Sequence, residues 1–250
     1  MEVGVSGTMS RLSDRVLRAL ERVEYRCART SVEKEAVYRL RYEAYIRQGL
    51  ITTRADGLLY DEGVDDAPNA WITTMFIDGE LASTVRIHVA DRATAALPSL
   101  DPFFDLIMPH LGAGRVIVDP TRLAADLEFA RRFPELPYLA LRPGWMAGEH
   151  FGADFGIVSV VGQHQAFYRR VFGYAPWCEP RDYPGFNLKV ACMGLDFRAA
   201  KARVEARHPA FRSTNAEREN LFGRTGSRPR YLESGGSVGL LSACAGAPQQ

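Results

Sequence analysis

The residues best suited to chemistry lie in one short segment, where Asp119, Thr121 and Arg122 surround Pro120. The segment follows a β-branched run at 116–118 that predicts a buried strand. Because proline has no N–H to donate to a sheet, strand pairing is expected to break or to reach an edge here. A carboxylate, a hydroxyl and a guanidinium are therefore expected together at a strand end. A turn with a surface ion pair is the alternative that the segment alone leaves open.

A polar stretch at 52–69 contains five acids: Asp56, Asp61, Glu62, Asp65 and Asp66. Carboxylates this close together repel one another unless they are solvated or bound to a cation or an amine. Their spacing does not match the alternating ligands of an EF-hand calcium loop, so no metal site is predicted. The stretch is therefore either a solvated loop or a binding site for a substrate amine.

Two further arginines, Arg41 and Arg86, lie within predicted elements. Alternation at 81–89 predicts a strand in which Arg86 points away from the face formed by Val85 and Ile87. An arginine in mid-strand is costly to bury unless it meets an anion, and an exposed sheet face is the alternative. Arg41 lies one helical turn before Tyr45, so the two are neighbours either in a site or on a half-exposed surface.

Periodicity predicts the elements that position these side chains. Residues 1–9 are predicted to be disordered, and helices are predicted at 11–28 and at 31–47, the second beginning after a capping box at Thr30. Further helices are predicted at 97–108, 123–133, 137–150 and 163–172, and Pro143 is expected to interrupt the third of these. Strands are predicted at 71–77 and 81–89, joined by the hairpin signal Asp78-Gly79, and at 116–118, 155–161 and within 186–197. This order predicts a mixed α/β fold whose front half is largely antiparallel.

Composition limits the class of protein. The chain has 250 residues, 46% of them hydrophobic, which is enough for a sizeable core and one or two domains. A net charge of +1 gives no reason to expect a nucleic-acid partner. Four cysteines without paired spacing fit a reducing compartment better than a disulfide framework or a zinc site. No signal sequence and no apolar run near roughly 20 residues is present, so a cytoplasmic location is predicted.

Both ends of the chain are basic. Arg11, Arg15, Arg18 and Arg22 share one face of the first predicted helix. Residues 201–231 contain eight basic and three acidic residues, a net charge of +5, and the final stretch is expected to be a flexible tail. These faces are either solvated or available to an acidic partner.

Taken in order, these residues resemble the acyl-homoserine-lactone (autoinducer) synthases and, more closely, the N-acyl amino acid synthases, both GNAT-like acyltransferases. The resemblance spans about 32–197. Arg41 and Tyr45 look like the family's early arginine and aromatic residue. Asp61 with Asp65 (or Asp66) looks like its paired acids, at a longer spacing, and Arg86 looks like its hairpin arginine.

The later part of the chain continues the resemblance. Asp119, Thr121 and Arg122 resemble the family's Glu-x-Ser-Arg element, with Asp for Glu, Thr for Ser and Pro120 inside it. The segment at 165–174 resembles the GNAT pattern of an aromatic pair, basic residues and a Gly-aromatic end. No Arg/Gln-x-x-Gly-x-Gly pyrophosphate loop precedes position 137, which favours an acyl carrier protein over coenzyme A as donor.

The resemblance implies a GNAT-like domain at 31–200, preceded by an N-terminal tail and helix at 1–30 and followed by a basic segment and tail at 201–250. It implies an enzyme that joins an acyl group from an acyl thioester to the α-amine of an amino acid, with no tightly bound cofactor. An autoinducer synthase using S-adenosylmethionine and a non-catalytic carrier-binding module are the alternatives.

The resemblance also implies roles for individual residues. The predicted catalytic residues are Asp119, as the base for the amine, and Tyr168, as the acid for the leaving thiolate. The predicted substrate-binding residues are Arg41, Asp61, Asp65, Arg86, Thr121 and Arg122. The two acids would hold the ammonium group, and the arginines would hold the carboxylate or order the acidic loop. An apolar acyl channel is predicted around Phe103, Phe104, Leu106 and Trp145.

Overall fold

The computed structural model describes residues 3–223, with side chains described from residue 11. The described elements, in chain order, are α1 Val3–Leu20, β1 Val23–Cys27, α2 Ser31–Arg47, β2 Ala70–Ile77, β3 Glu80–Ala90, α3 Phe104–Gly112, β4 Ile117–Ala125, α4 Leu127–Arg132, α5 Leu136–His150, β5 Phe155–Val160, α6 Gly162–Val171, β6 Ala175–Pro176, β7 Ala191–Asp196, α7 Phe197–Arg207, a 3-10 turn Pro209–Phe211 and α8 Asn215–Phe222.

The strands form one sheet in the order β1-β2-β3-β4-β5-β7-β6. Neighbouring strands are antiparallel except β4 and β5, which run parallel and pair only at Ile117 and Val118. The prediction of a mixed, largely antiparallel α/β fold is therefore confirmed. Beyond Val118 the two parallel strands separate, and the sheet opens into a gap beside Pro120.

Pro120 interrupts strand pairing, as predicted, but only on the side of β4 that faces β5. Pairing with β5 stops before it, but pairing with β3 continues through Pro120 to Ala125. The strand is therefore longer than predicted, and the first part of the helix predicted at 123–133 is strand. Only Leu127–Arg132 is helical there, because Asp126 caps its first turn.

Local capping and turn signals were read correctly. Thr30 and Glu33 form the predicted capping box at the start of α2. Asp78 and Gly79 adopt φ angles of 52° and 86°, which is the left-handed pair that a tight β2–β3 hairpin requires.

The prediction of a helix at 11–28 is wrong for the second half of that range. The helix begins at Val3, in the segment predicted to be disordered, and ends at Leu20. Residues Val23–Cys27 form β1, which pairs with β2 along its whole length. Val23, Tyr25 and Cys27 alternate with charged residues, and this period of two outweighs the helical spacing.

Two further helices differ from prediction for local reasons. The helix α5 runs through Pro143, although proline removes the hydrogen bond to the carbonyl four residues earlier. That carbonyl, of Leu139, accepts a 2.8 Å hydrogen bond from the Tyr25 hydroxyl instead. The helix predicted at 97–108 forms later, at Phe104–Gly112, beyond the two prolines of the segment.

The described C-terminal elements pack on the same core. The buried Arg142 of α5 donates to the carbonyls of Ala210 and Arg212, at 2.7 and 2.8 Å, and to the Glu217 carboxylate at 2.7 Å. The division at residues 30 and 200 stays a prediction. The segment predicted to be a flexible tail and three of the basic residues, Arg224, Arg228 and Arg230, lie outside the described residues, as does Cys244. The three described cysteines are not joined in disulfides.

Candidate active site

The predicted arginines and acids meet in one cluster. Arg41 Nη1 of α2 lies 2.7 Å from Asp65 Oδ1, and Arg86 Nη1 of β3 lies 3.2 Å from the same oxygen. The same Arg86 nitrogen is 2.7 Å from Asp61 Oδ2. Arg122 donates twice to Asp61, with both distances at 2.7 Å. The two acids thus connect α2, β3 and β4 through charge-assisted hydrogen bonds.

Every carboxylate oxygen in this cluster is engaged by the protein. Asp65 Oδ2 accepts the backbone N–H of Asp61 at 2.8 Å, which completes the set. Burial opposes ionisation of Asp61, but the hydrogen bonds and charges of Arg122 and Arg86 outweigh it and lower its pKa. Both acids are therefore ionised at neutral pH. The cluster fixes the acidic loop against the sheet.

The charges in this cluster do not cancel. Three arginines face two carboxylates, and the side chains of Arg41, Arg86 and Asp65 are at most 3% exposed. A buried excess of one positive charge is costly and favours binding of an anion. Arg122 Nη1 is buried without a hydrogen-bond partner, and the same residue borders the main cavity. This nitrogen is the donor in the cluster best placed for an anionic ligand.

The backbone at Arg122 explains how its side chain reaches both the acid and the cavity. Thr84 pairs with Ala124 and Arg86 pairs with Thr121, so Val85 alone faces both Arg122 and Leu123. This is a β-bulge, and within it Arg122 has φ of 53°. A non-glycine residue in that region is strained, and its surroundings must hold it there. The double hydrogen bond to Asp61 and the Phe186 ring, 5.0 Å from the guanidinium, do so.

A cavity of about 570 Å³ occupies the gap between β4 and β5. Its polar end is formed by Tyr45, Arg86, Thr121 and Arg122, and Ser159, Tyr168 and Tyr183 also line it. Apolar side chains line most of the remainder: Leu123, Leu127, Phe133, Leu136, Leu141, Val158, Val160 and Phe167. The volume lies within the range of small-molecule sites, and the lining suits an amphiphile with one charged end.

None of the side chains predicted to form the acyl channel lines this cavity. Phe103 lies in a separate core cluster, with Leu106 packed against it, and Phe104 is exposed. Trp145 packs against Phe172, Phe197 and Phe211. The channel prediction is therefore wrong, because apolar character alone does not indicate which side of the sheet a side chain covers.

Asp119 lies behind the cavity wall rather than in it. Its side chain is fully buried and is absent from the lining of the cavity. Oδ2 accepts the backbone N–H of Ser99 at 3.2 Å, and Oδ1 has no hydrogen-bond partner. Burial raises the pKa of Asp119 to about 6, against the lowering effects of Ser99 hydrogen bonds and the Arg86 charge. A carboxylate with a pKa near neutrality is suited to accept a proton.

Comparison with known proteins identifies the family. A sequence model of the N-acyl amino acid synthase FeeM matches residues 36–196, well over half of the chain. The chain belongs to the FeeM family. It is therefore an acyltransferase of the N-acyl amino acid synthase kind. Among curated protein sequences, none matches the chain.

Solved structures share the fold. FeeM itself, an N-acyl amino acid synthase from uncultured soil microbes, has a TM-score of 0.61 at 17% identity, covering 74% of this chain and 98% of FeeM. The acyl-homoserine-lactone synthase LasI has a TM-score of 0.51 at 14% identity, covering 72% of this chain and 94% of LasI. The CoA-dependent acyl-homoserine-lactone synthase BjaI has a TM-score of 0.50 at 15% identity, covering 76% of this chain and 88% of BjaI. The predicted GNAT-like fold is confirmed.

The chain has Tyr168 on α6, with its side chain at the cavity. Burial raises the pKa of Tyr168 well above its ordinary value, and the neighbouring Tyr45 contributes in the same direction. The phenol is therefore protonated at neutral pH and is able to donate a proton. Of the residues predicted from the FeeM-like pattern, Arg86, Thr121, Arg122 and Tyr168 line the cavity, whereas Arg41, Asp65 and Asp119 support it from behind.

Three polar residues beside Asp119 were not predicted. Ser99 and Ser159 are joined by a 2.8 Å hydrogen bond between their hydroxyls, and Tyr183 closes the cavity on the same side. Ser99 lies in an irregular segment, and Ser159 is one polar residue in an apolar strand. The single polar position in the predicted strand at 155–161 was the available signal for Ser159.

Acidic residues lie at the N-termini of α4 and α5, two of the helices beside the cavity. The Asp126 side chain accepts the N–H groups of Glu128 and Phe129, at 2.9 and 3.1 Å, in the first turn of α4. Glu135 precedes α5 and pairs with Arg15 at 2.5 Å. A helix N-terminus attracts phosphate only while its N–H groups are available and no carboxylate occupies the position. The start of α4 is therefore a poor site for a diphosphate. At the start of α5 the N–H groups of Leu136 and Tyr138 already donate to the carbonyls of Phe133 and Glu135.

In the described part of the chain, no helix has the length and apolar character that spanning a bilayer requires. Within the same residues, no group of three or more His, Cys, Asp or Glu side chains is arranged to hold a metal ion.

The buried position of Asp119 predicts a pH-dependent stability. Its pKa is raised from 3.8 to about 6, so between those values the folded protein binds more protons at Asp119 than the unfolded chain does. The free energy of unfolding of the wild type, relative to Asp119→Asn, should therefore fall by about 2 kcal/mol as pH rises from 4 to 7. Urea unfolding of both proteins across this range measures the difference. A difference independent of pH would contradict the raised pKa.

Proposed function

We propose that this enzyme transfers a fatty acyl group from an acyl thioester to the α-amine of an amino acid. The observation that supports this most directly is the position of Arg122. Arg122 lines the polar end of a largely apolar cavity, and its Nη1 is buried without a hydrogen-bond partner. An N-acyl amino acid has the same polarity, with a carboxylate at one end and a hydrocarbon chain at the other.

In this proposal Arg122 binds the carboxylate of the amino acid. The guanidinium is held by Asp61 and by the Tyr45 and Phe186 rings, so it is preorganised and loses little freedom on binding. Asp61 and Asp65 are assigned to ordering the loop rather than to the ammonium group, because all four of their oxygens already accept hydrogen bonds. Arg41 and Arg86 share that ordering role.

The reaction follows from this placement. The amine, once neutral, attacks the thioester carbonyl carbon, and the C–S bond breaks. Tyr168, protonated and at the cavity, supplies a proton to the leaving sulfur. β4 pairs with β5 at Ile117 and Val118 only, and Pro120 has no N–H, so backbone donors for the developing oxyanion would come from β5 beyond Gly156.

For the donor we propose an acyl carrier protein. The carboxylate at the start of α4 and the engaged N–H groups at the start of α5 disfavour the diphosphate of coenzyme A. Arg47 is exposed and lines the cavity, and three further exposed arginines are close in sequence to lining residues: Arg131, Arg132 and Arg169. Cationic residues of this kind attract an acidic carrier. The expected kcat/KM is higher for acyl carrier protein than for acyl-CoA of the same chain length, and the advantage should shrink as salt rises.

Mass spectrometry of lipid extracts tests the proposed function. Cells expressing the wild type should contain new N-acyl amino acids, and cells expressing Asp119→Asn at the same level should not. The product masses would identify both the acyl chain and the amino acid. A lactone product would instead indicate an autoinducer synthase. Absence of any product, even when purified protein is given acyl carrier protein and acyl-CoA donors, would indicate a binding module.

Arg122→Lys should raise the KM for the amino acid by roughly 10- to 100-fold, because a charge-assisted hydrogen bond to the substrate is worth about 1.5–3 kcal/mol. Lysine retains the charge near Asp61 but cannot place a second donor in the cavity. Steady-state kinetics with varied amino acid measures the change. Arg41→Lys is the matched control, because Arg41 binds the same loop without lining the cavity. An unchanged KM in Arg122→Lys would remove Arg122 from carboxylate binding.

A further inference from the structure

We propose that Ser159 and Ser99 form a proton relay that connects the cavity to Asp119. This inference rests on the proposed function and names two further residues for the same reaction. The proton that the substrate amine must lose passes along the two hydroxyls to a carboxylate that the substrate itself does not reach.

The geometry supplies each link of this relay. Ser159 of β5 lines the cavity, and its Oγ lies 2.8 Å from Oγ of Ser99. Ser99 is fully buried: its backbone N–H donates to Asp119 Oδ2 at 3.2 Å, and its hydroxyl lies close enough to the carboxylate to lower the pKa of Asp119. Asp119 Oδ1 is buried and has no partner. The hydroxyls therefore connect a solvent-accessible surface to an otherwise isolated carboxylate.

A relay is needed because of distance. A general base must lie within about 2.6–3.2 Å of the proton it removes, or be connected to it through a bridging group. Asp119 is absent from the cavity lining, so direct contact with a bound amine is not available. A serine hydroxyl has one donor and two acceptor positions, so it can accept a proton from one side while giving its own to the other.

The transfer balances as follows. The bound ammonium group gives one proton to Ser159 Oγ, Ser159 gives its own to Ser99 Oγ, and Ser99 gives its own to Asp119. Both serines end unchanged, Asp119 is neutral, and the nitrogen has the electron pair that forms the N–C bond. The C–S bond then breaks, and the sulfur takes the proton of Tyr168. The nitrogen then gives its second proton to the Tyr168 oxygen, which restores the phenol and leaves a neutral amide.

Among the described residues, none of the other groups that face Asp119 titrates near neutral pH. The titratable and charged groups facing it are Arg86, His88, Tyr174, Tyr183 and Cys192. Burial lowers the pKa of His88 to about 3 and raises those of the two tyrosines and the cysteine, so all four are neutral. Arg86 remains charged and favours the ionised form of Asp119.

The test measures kcat against pH from 5 to 9 for purified wild type, Ser159→Ala, Ser99→Ala and Ser159→Thr, by product mass spectrometry. The wild type should lose activity below an inflection near pH 6. Each alanine variant should lower kcat by 10-fold or more and remove that inflection, with KM for both substrates within about twofold. Ser159→Thr retains a hydroxyl and should restore both the rate and the inflection.

Two results would overturn the relay while leaving the proposed function in place. One is an alanine variant with wild-type kcat and pH profile. The other is equal slowing in Ser159→Ala and Ser159→Thr with the inflection retained, which would indicate a packing role. Absence of N-acyl amino acid from the wild type itself would refute the proposed function, and the relay with it.

Discussion

Asp119→Asn is expected to lower kcat by about 10²- to 10⁴-fold, the usual contribution of general base catalysis, while leaving the fold intact. Asparagine has the same shape and retains an oxygen for the N–H of Ser99. It cannot accept a proton at neutral pH, so the amine stays protonated and unreactive. Because Asp119 does not line the cavity, KM for both substrates should change little.

Stopped-time assays of purified protein measure this effect, and circular dichroism verifies the fold. Asp154→Asn is the matched control. Asp154 is also a buried acid beside β4, where it accepts the N–H of Val116 at 2.9 Å, but it lies outside the cavity. Its substitution should leave kcat near the wild-type value. Near-normal turnover by Asp119→Asn would exclude Asp119 as the terminal base.

Arg86→Met should reduce the free energy of unfolding by about 3–5 kcal/mol, the usual cost of removing one partner from a buried ion pair. Arg86 is the residue that both acids share, and its side chain is 2% exposed. Methionine fills much of the volume but leaves Asp61 and Asp65 each short of a donor. The acidic loop should detach first, because the cluster is its main connection to the sheet.

Urea unfolding at pH 7 measures this cost. Arg39→Met provides the comparison on an exposed surface, because Arg39 pairs with Glu35 where both side chains are more than half exposed. Exposed pairs of this type contribute well under 1 kcal/mol. If Arg86→Met were no more destabilising than Arg39→Met, the cluster would not hold the loop. If the variant instead folded normally and bound amino acid poorly, Arg86 would belong with Arg122 in substrate binding.

Sequence predicts best where the deciding interaction is local. The capping box at Thr30 and the Asp78-Gly79 hairpin involve residues within three positions of one another, and both formed as predicted. The strand at Val23–Cys27 was mistaken for helix because its alternation is short and follows a longer helical pattern. The continuity of α5 through Pro143 depends on Tyr25, more than a hundred residues away, and no local pattern contains that information.

In the candidate site, too, the sequence indicated less where contacts between residues distant in sequence decide the arrangement. The family resemblance grouped Asp61, Asp65, Arg86 and Arg122, and the structure places them in contact. The sequence did not indicate that the acids would be saturated by arginines, because which donor reaches which oxygen depends on the bulge in β4. Nor did it indicate that Asp119 lies behind Ser99, because a strand pattern gives the face of a residue but not its depth.

The shared cluster also constrains how this chain can change in evolution. The acidic loop, the hairpin and the bulged strand are separate in sequence, yet each holds a charge that another neutralises. A single substitution in any one of them leaves a buried side chain in another without its hydrogen-bond partner. The three segments should therefore be inherited as a unit among homologues. A chimaera that exchanges the loop alone should misfold, whereas one that exchanges all three should keep its fold and acquire the acceptor preference of its parent.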